Sequence, residues 1–161
     1  MIVPGTLQAL SKEFSMKIRH QAGDKGVDVV RQSYEGMIDV EALAFIDDMA
    51  AAYAWADVVI CRSGALTVSE LAAAGLPSVL VPFPHAIDDH QTANANILVK
   101  AGAAVLMPQE EMSERTLGRV LGCLFRTSGK LSKMSDCARA MAVLGSADKV
   151  AAVCQEVALE H

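Results

Sequence analysis

Residues 57–81, DVVICRSGALTVSELAAAGLPSVLV, decide the fold. Asp57-Val58-Val59-Ile60-Cys61 is a short, β-branched, almost wholly apolar run, which reads as a strand buried on both faces. Ser63-Gly64 turns the chain. Ala65 to Ala74 then has the composition of a helix, stopped by Gly75. Leu76 to Val81 is a second buried strand, with Pro77 at its start, where the missing N–H is tolerated. A buried strand, a helix and another buried strand predict a parallel pair joined by a right-handed crossover.

The same alternation extends in both directions. Upstream, Thr6 to Phe14 reads as a helix, Met16 to His20 as a strand and Asp24 to Tyr34 as a helix. Val40 to Phe45 reads as a strand, and Asp47 or Asp48 caps a helix running to Trp55. Downstream come a loop from Pro82 to Asp88, a helix from Asp89 to Lys100 closed by Gly102, and a strand from Ala103 to Met107. Helices are expected over Glu110 to Phe125, Leu131 to Leu144 and Ala147 to Ala158. The expected class is α/β, a Rossmann-like doubly wound parallel sheet, as one domain over residues 1–158. Leu159-Glu160-His161 resembles the remnant of a C-terminal affinity tag and is not expected to belong to the domain.

Composition narrows the function. Of 161 residues, 52% are hydrophobic and 20% charged, which suits a folded domain rather than a disordered chain. The net charge of −5, the lack of any Lys/Arg cluster and only 4% aromatic residues argue against a nucleic-acid groove. No apolar run reaches the length of a membrane-spanning helix. Cys61, Cys123, Cys137 and Cys154 show neither C-x-x-C pairing nor zinc spacing, and read as small reduced core residues of a cytoplasmic protein. His85 and His90 lack a third ligand at short spacing, so neither a metal nor another cofactor is expected.

In an open parallel sheet, ligands bind beyond the carboxyl ends of the strands, at helix N-termini. The loop Arg62-Ser63-Gly64 lies at such an end. The free N–H groups of Ala65, Leu66 and Thr67, with the positive end of the helix dipole, suit a diphosphate, and Gly64 permits close approach and unusual dihedrals. An ordinary serine cap on a structural helix is the competing reading. Glu70, one turn further on, can reach the vicinal hydroxyls of a ribose, or is simply a surface or capping-box carboxylate. Gln91 and Asn94 share a helix face, and their amides suit sugar hydroxyls if they are not merely solvated. The main chain at Ile46 can bond a uracil with Met49 packed on it; a hydrophobic staple across a capped helix accounts for the same residues. His20-Gln21-Ala22-Gly23 is either a strand-ending turn or an edge of the same cleft. Tyr53 and Trp55 read as core or interface.

Taken in order, Phe45-Ile46-Asp47-Asp48-Met49, Ala54-Trp55-Ala56-Asp57, Arg62 to Glu70, Ala74-Gly75-Leu76-Pro77, Pro82-Phe83-Pro84-His85 and Asp89-His90-Gln91 carry a family resemblance. The chain resembles the C-terminal domain of the bacterial lipid II-forming UDP-N-acetylglucosamine:undecaprenyl-diphospho-muramoylpentapeptide N-acetylglucosaminyltransferases, of the GT-B superfamily. The resemblance covers about residues 1–158 and is most specific from Phe45 to Gln91. It implies that Ile46 reads uracil and that the segment Ala65, Leu66, Thr67, Val68 and Ser69 holds the diphosphate. It further implies that Glu70 binds ribose, that Gln91 with Asn94 contacts N-acetylglucosamine, and that Arg62, Ser63 and Gly64 complete the loop. It implies an inverting transfer from UDP-N-acetylglucosamine to the lipid-linked muramoyl-pentapeptide, at the cytoplasmic side of the inner membrane.

The family's domain opens with a strand and a Gly-Gly-Ser-x-Gly-Ala loop that this sequence lacks. The N-terminal domain expected to bind acceptor and carry the base is also absent. The chain is therefore expected to be inactive alone, to bind donor weakly, and to self-associate through the sheet edge left open. Position 90 is His where some members have Gln. Two alternatives stand beside this reading: another UDP-sugar-using GT-B transferase or epimerase domain, and an α/β interaction domain that binds no ligand.

Overall fold

A computed structural model of the chain describes residues 1–37, 39–84, 89–143, 145, 150–152 and 154–156. In chain order the elements are α1 (Ile2–Leu10), β1 (Ile18–Gln21), α2 (Val27–Ser33), β2 (Val40–Leu43), α3 (Met49–Trp55), β3 (Val59–Cys61), α4 (Ala65–Ala74), β4 (Ser78–Leu80), α5 (His90–Lys100), β5 (Ala104–Leu106), α6 (Glu114–Arg126) and α7 (Lys130–Ala140). All pairings are parallel. β1 pairs with β2, with Ile18 opposite Val40 and Gln21 opposite Leu43. β3, β4 and β5 form a second set, with Val59 opposite Ser78 and Ser78 opposite Ala104. The expected parallel α/β architecture is present, its strands divided into a two-stranded and a three-stranded group.

Side-chain alternation along the strands explains why both faces are covered. In β4, Val79 and the following Val81 enter one core cluster with Leu7, Leu10, Val30, Leu117 and Leu121. Leu80, between them, enters a second cluster with Val68, Leu71, Ala95 and Leu98. In β3 the same split sends Ile60 to the first cluster and Val59 and Cys61 to the second. Successive strand residues point to opposite faces, so a continuous apolar run needs helices on each side. Here α1, α2 and α6 cover one face, and α4 and α5 the other. Leu71, Leu80 and Leu98 are wholly buried; each such side chain contributes about 1.5–3 kcal/mol relative to exposure.

Glycine ends the two helices that frame the strand tips. Gly75 adopts φ +66°; its N–H donates to Ala72 C=O at 3.1 Å and that of Leu76 to Leu71 C=O at 3.0 Å. At Gly102, with φ +78°, the same Schellman pattern joins Gly102 to Val99 and Ala103 to Leu98.

Several strands and α2 start or end one to three residues from expectation, and the larger differences fall in three helices. The first helix covers Ile2–Leu10 rather than Thr6 to Phe14, because Pro4 falls in its first turn, where an N–H is dispensable. The helix expected from Glu110 is split. A 3-10 turn occupies Gln109–Glu111, and α6 begins afresh behind Ser113. Ser113 and Thr116 exchange side-chain and backbone bonds in a capping box that sets the new start. α7 ends at Ala140, and Leu144 lies outside the described residues. Of the last expected helix, residues 150–152 and 154–156 are helical, while Ala147 and Ala158 lie outside the described residues, as do Leu159, Glu160 and His161. The cysteines are not uniformly core. All four are free thiols, but Cys123 and Cys154 are exposed, because they fall on the outer faces of their segments. Burial pushes the Cys61 thiol up to about 12.

Candidate functional site

The strand tips place α4 where a ligand can reach it. Gly64 caps α4 with φ −61° and ψ 151°, and among the described residues no side chain caps the helix end. The first helical bond runs from Val68 N–H to Gly64 C=O at 3.0 Å. The amides of Ala65, Leu66 and Thr67 precede it, so no intrahelical acceptor is available to them. Leu66 is 80% exposed, so this end stands open to solvent. The expectation of unusual dihedrals at Gly64 is corrected: any residue can adopt its backbone. What glycine leaves is room, since the nearest atom to an added Cβ is Thr67 Oγ1 at 3.8 Å.

Ser63 and Val68 were expected in the site and lie beneath it. Ser63 is wholly buried; its hydroxyl donates to Gln91 C=O at 2.8 Å, and its own carbonyl accepts from Asn94 Nδ2 at 3.2 Å. It pins α5 beside the start of α4. Val68 is a core residue of the second cluster, because its position faces inward one turn along the helix. Ser69 is exposed, and its hydroxyl donates back to Ala65 C=O at 3.1 Å. Arg62 is a brace. Its guanidinium donates to the carbonyls of Val81 at 3.3 Å and Pro82 at 2.9 Å and to Gln109 Oε1 at 2.6 Å, and lies over the Phe83 ring. One side chain thus ties together the loops that follow β3, β4 and β5.

Glu70 is exposed and accepts a hydrogen bond from the Tyr53 hydroxyl at 3.3 Å. Burial, and then the charge of Glu70, push the Tyr53 hydroxyl up to about 12, so it remains a donor. Tyr53 packs against the second core cluster, as expected, and its bond to Glu70 is an added role; no local signal links two positions separated by a strand. Gln91 Oε1 accepts from Phe83 N–H at 3.0 Å, so the amide expected on a sugar here shapes the loop after β4. His85 and Asp88 of that loop lie outside the described residues.

Ile46 stands at the carboxyl end of β2, just before Asp48, whose carboxylate caps α3 by accepting from Ala51 N–H at 2.8 Å. The N–H of Ile46 donates to Gln21 Oε1 at 3.0 Å. His20 is structural. Its Nδ1 lies 3.0 Å from the Tyr34 hydroxyl, and burial holds its pKa below the ordinary value. The arrangement therefore joins Arg62, Ser63, Gln91 and Asn94 around the start of α4, and Glu70 to α3. Ile46 is linked to Gln21 at the tip of the other strand pair. A shallow cavity of about 400 Å³ lies elsewhere, lined by Ile18, Arg19, Glu41 and Trp55 near the opposite strand ends, and holds none of these residues. Among the described residues no three His, Cys, Asp or Glu side chains group as metal ligands, and no helix is long and apolar enough to cross a membrane.

Known proteins resemble this chain in sequence and fold. The UDP-N-acetylglucosamine--N-acetylmuramyl-(pentapeptide) pyrophosphoryl-undecaprenol N-acetylglucosamine transferase of Shewanella denitrificans is 48% identical over 98% of this chain and 44% of its own length. That of Shewanella piezotolerans is 49% identical over the same shares. The chain thus spans less than half the length of these relatives. The solved structure of Acinetobacter baumannii MurG superposes with a TM-score of 0.90 at 38% identity, over 96% of this chain and 44% of that one. The glycosyltransferase VinC, solved in complex with dTDP, matches 100% of this chain and 38% of its own at a TM-score of 0.78; at 14% identity this is a likeness of fold alone. The profile of the glycosyltransferase family 28 C-terminal domain matches residues 2–150, and the chain belongs to that family.

Proposed function

We propose that this domain is the donor-binding half of an inverting N-acetylglucosaminyltransferase. It holds UDP-N-acetylglucosamine while a second domain presents a lipid-linked muramoyl-pentapeptide. The observation that carries the reading is the open, uncapped start of α4 with Glu70 one turn along it. The names of the relatives support the same donor and acceptor.

In this reading the amides of Ala65, Leu66 and Thr67 bind the diphosphate, and Glu70, held by Tyr53, binds the ribose hydroxyls. The main chain at Ile46 reads the uracil, whose O4 accepts and whose N3–H donates. Gln91 and Asn94, besides bracing the loop after β4 and the Ser63 carbonyl, face the sugar, while Arg62 and Ser63 fix the loops that carry these groups. The acceptor's C4 hydroxyl oxygen bonds to the anomeric carbon, the bond from that carbon to the phosphate oxygen breaks, and the proton passes to a base on the second domain. The negative charge gathering on departing UDP falls on fixed amide donors and the positive end of the helix. The whole protein acts as a peripheral enzyme at the cytoplasmic face of the membrane. The chain alone binds donor without transferring it, because orientation of the acceptor is lost.

Calorimetric titration with UDP and UDP-N-acetylglucosamine tests this. Glu70→Ala raises the Kd for UDP by about tenfold or more, the scale of a charged hydrogen bond. The same substitution leaves binding of 2′,3′-dideoxy-UDP unchanged, since the hydroxyls are gone. A folded chain indifferent to saturating UDP overturns the proposal.

A further inference from the structure

Gln21 closes β1 with its backbone locked in the parallel ladder. It pairs with Leu43, and the next two amides, Ala22 and Gly23, donate to Leu43 C=O at 2.9 Å and Ala44 C=O at 3.0 Å. Its exposed side chain reaches across to the tip of β2, where Oε1 accepts the Ile46 N–H at 3.0 Å. That amide is the donor assigned above to the base, so the inference rests on the functional reading just given. One N–H makes one well-aligned hydrogen bond at a time. A carboxamide carbonyl and the O4 of uracil are the same kind of planar acceptor. We propose that Gln21 is an internal stand-in for the nucleobase, which a uridine nucleotide must displace to reach Ile46.

The device is a side-chain latch. Because the ladder fixes the Gln21 backbone, only its rotamer changes on release. The bond is neutral and solvent-exposed, so its net strength is small and the base can win it. A site open only part of the time binds more weakly in proportion to that fraction. Selectivity rests with the Ile46 amide and not with the latch. A base with a carbonyl at this position replaces the lost acceptor, whereas one with an amino group, such as cytosine, leaves the Ile46 N–H facing another donor. Gln21 thus penalises every nucleotide equally on entry, and only a uracil-like edge restores what was broken.

The test is titration of the chain and two variants with UDP and CDP, together with the ¹⁵N–¹H signal of Ile46. Gln21→Ala tightens UDP by about fivefold, the scale of freeing one neutral hydrogen bond. It shifts the Ile46 amide in the free chain, and UDP shifts that amide back. Gln21→Glu keeps the acceptor, adds a negative charge, and weakens UDP by at least as much. CDP stays weaker than UDP in every variant. UDP binding to the wild-type chain that is unchanged or weakened by Gln21→Ala overturns the latch and leaves the functional reading standing. An absence of UDP binding in all three folded chains overturns both.

Discussion

At Gly64 the demands of folding and binding separate. Its dihedrals are ordinary, and a methyl group there meets only Thr67 Oγ1, at 3.8 Å. Gly64→Ala gains about 0.4–1 kcal/mol by restricting the unfolded chain and loses a similar amount as a poorer N-cap. Thermal stability should therefore stay close to that of the parent chain. The added methyl group takes up room beside Thr67 at the helix end proposed to hold the diphosphate, so the affinity for UDP should fall by tenfold or more. Parallel melting curves and titrations separate the two effects; a loss of stability with unchanged affinity would give Gly64 a structural role only. The glycine was legible in the sequence as part of a strand–turn–helix, but its conformation was not. Periodicity locates a turn without fixing φ and ψ. Nor does it tell a buried serine such as Ser63 from an exposed one, since both fit the same turn.

At the scale of elements, strand and helix types were legible wherever apolar periodicity was strong. α4 falls at the bounds read from its composition and its terminal glycine. α6 does not, because two residues of local chemistry, Ser113 and Thr116, override a pattern that runs smoothly through them. The contact of β1 with α2 illustrates a link that no spacing rule supplies. His20 packs edge-on against Tyr34 with ring centroids 5.8 Å apart. Burial keeps the imidazole neutral below its ordinary value of 6.5. As the pH falls through that value, the unfolded chain takes up a proton that the folded chain resists, so stability declines until folded His20 also protonates. Above it neither state is charged there, and the contribution is constant. The melting temperature should therefore drop between pH 7.5 and pH 5.5, and His20→Gln should reduce the drop. Equal drops in the two chains would place the sensitivity elsewhere.

Across the whole molecule, the strands divide into two hydrogen-bonded groups, and among the described residues β1 pairs only with β2, and β3 only with β4. Each group so presents a ladder edge whose amides and carbonyls seek partners. We propose that copies of this chain associate through these edges. Sedimentation equilibrium should show a weight-average mass that rises with protein concentration, and a constant monomer mass would exclude it. The sequence revealed the class and the order of elements, since each is written in a local pattern. It did not reveal the division of the strands, or that Arg62 binds three loops together, because both depend on positions far apart in the chain.

β4 gives its alternate side chains to two separate cores, Val79 to one and Leu80 to the other. It works as a shared wall between two rooms. Neither room can be emptied while the other stays furnished, so melting on the side of α1 and α6 carries the side of α4 and α5 with it. A mutation that loosens the packing far behind the site thereby reaches the site without touching it.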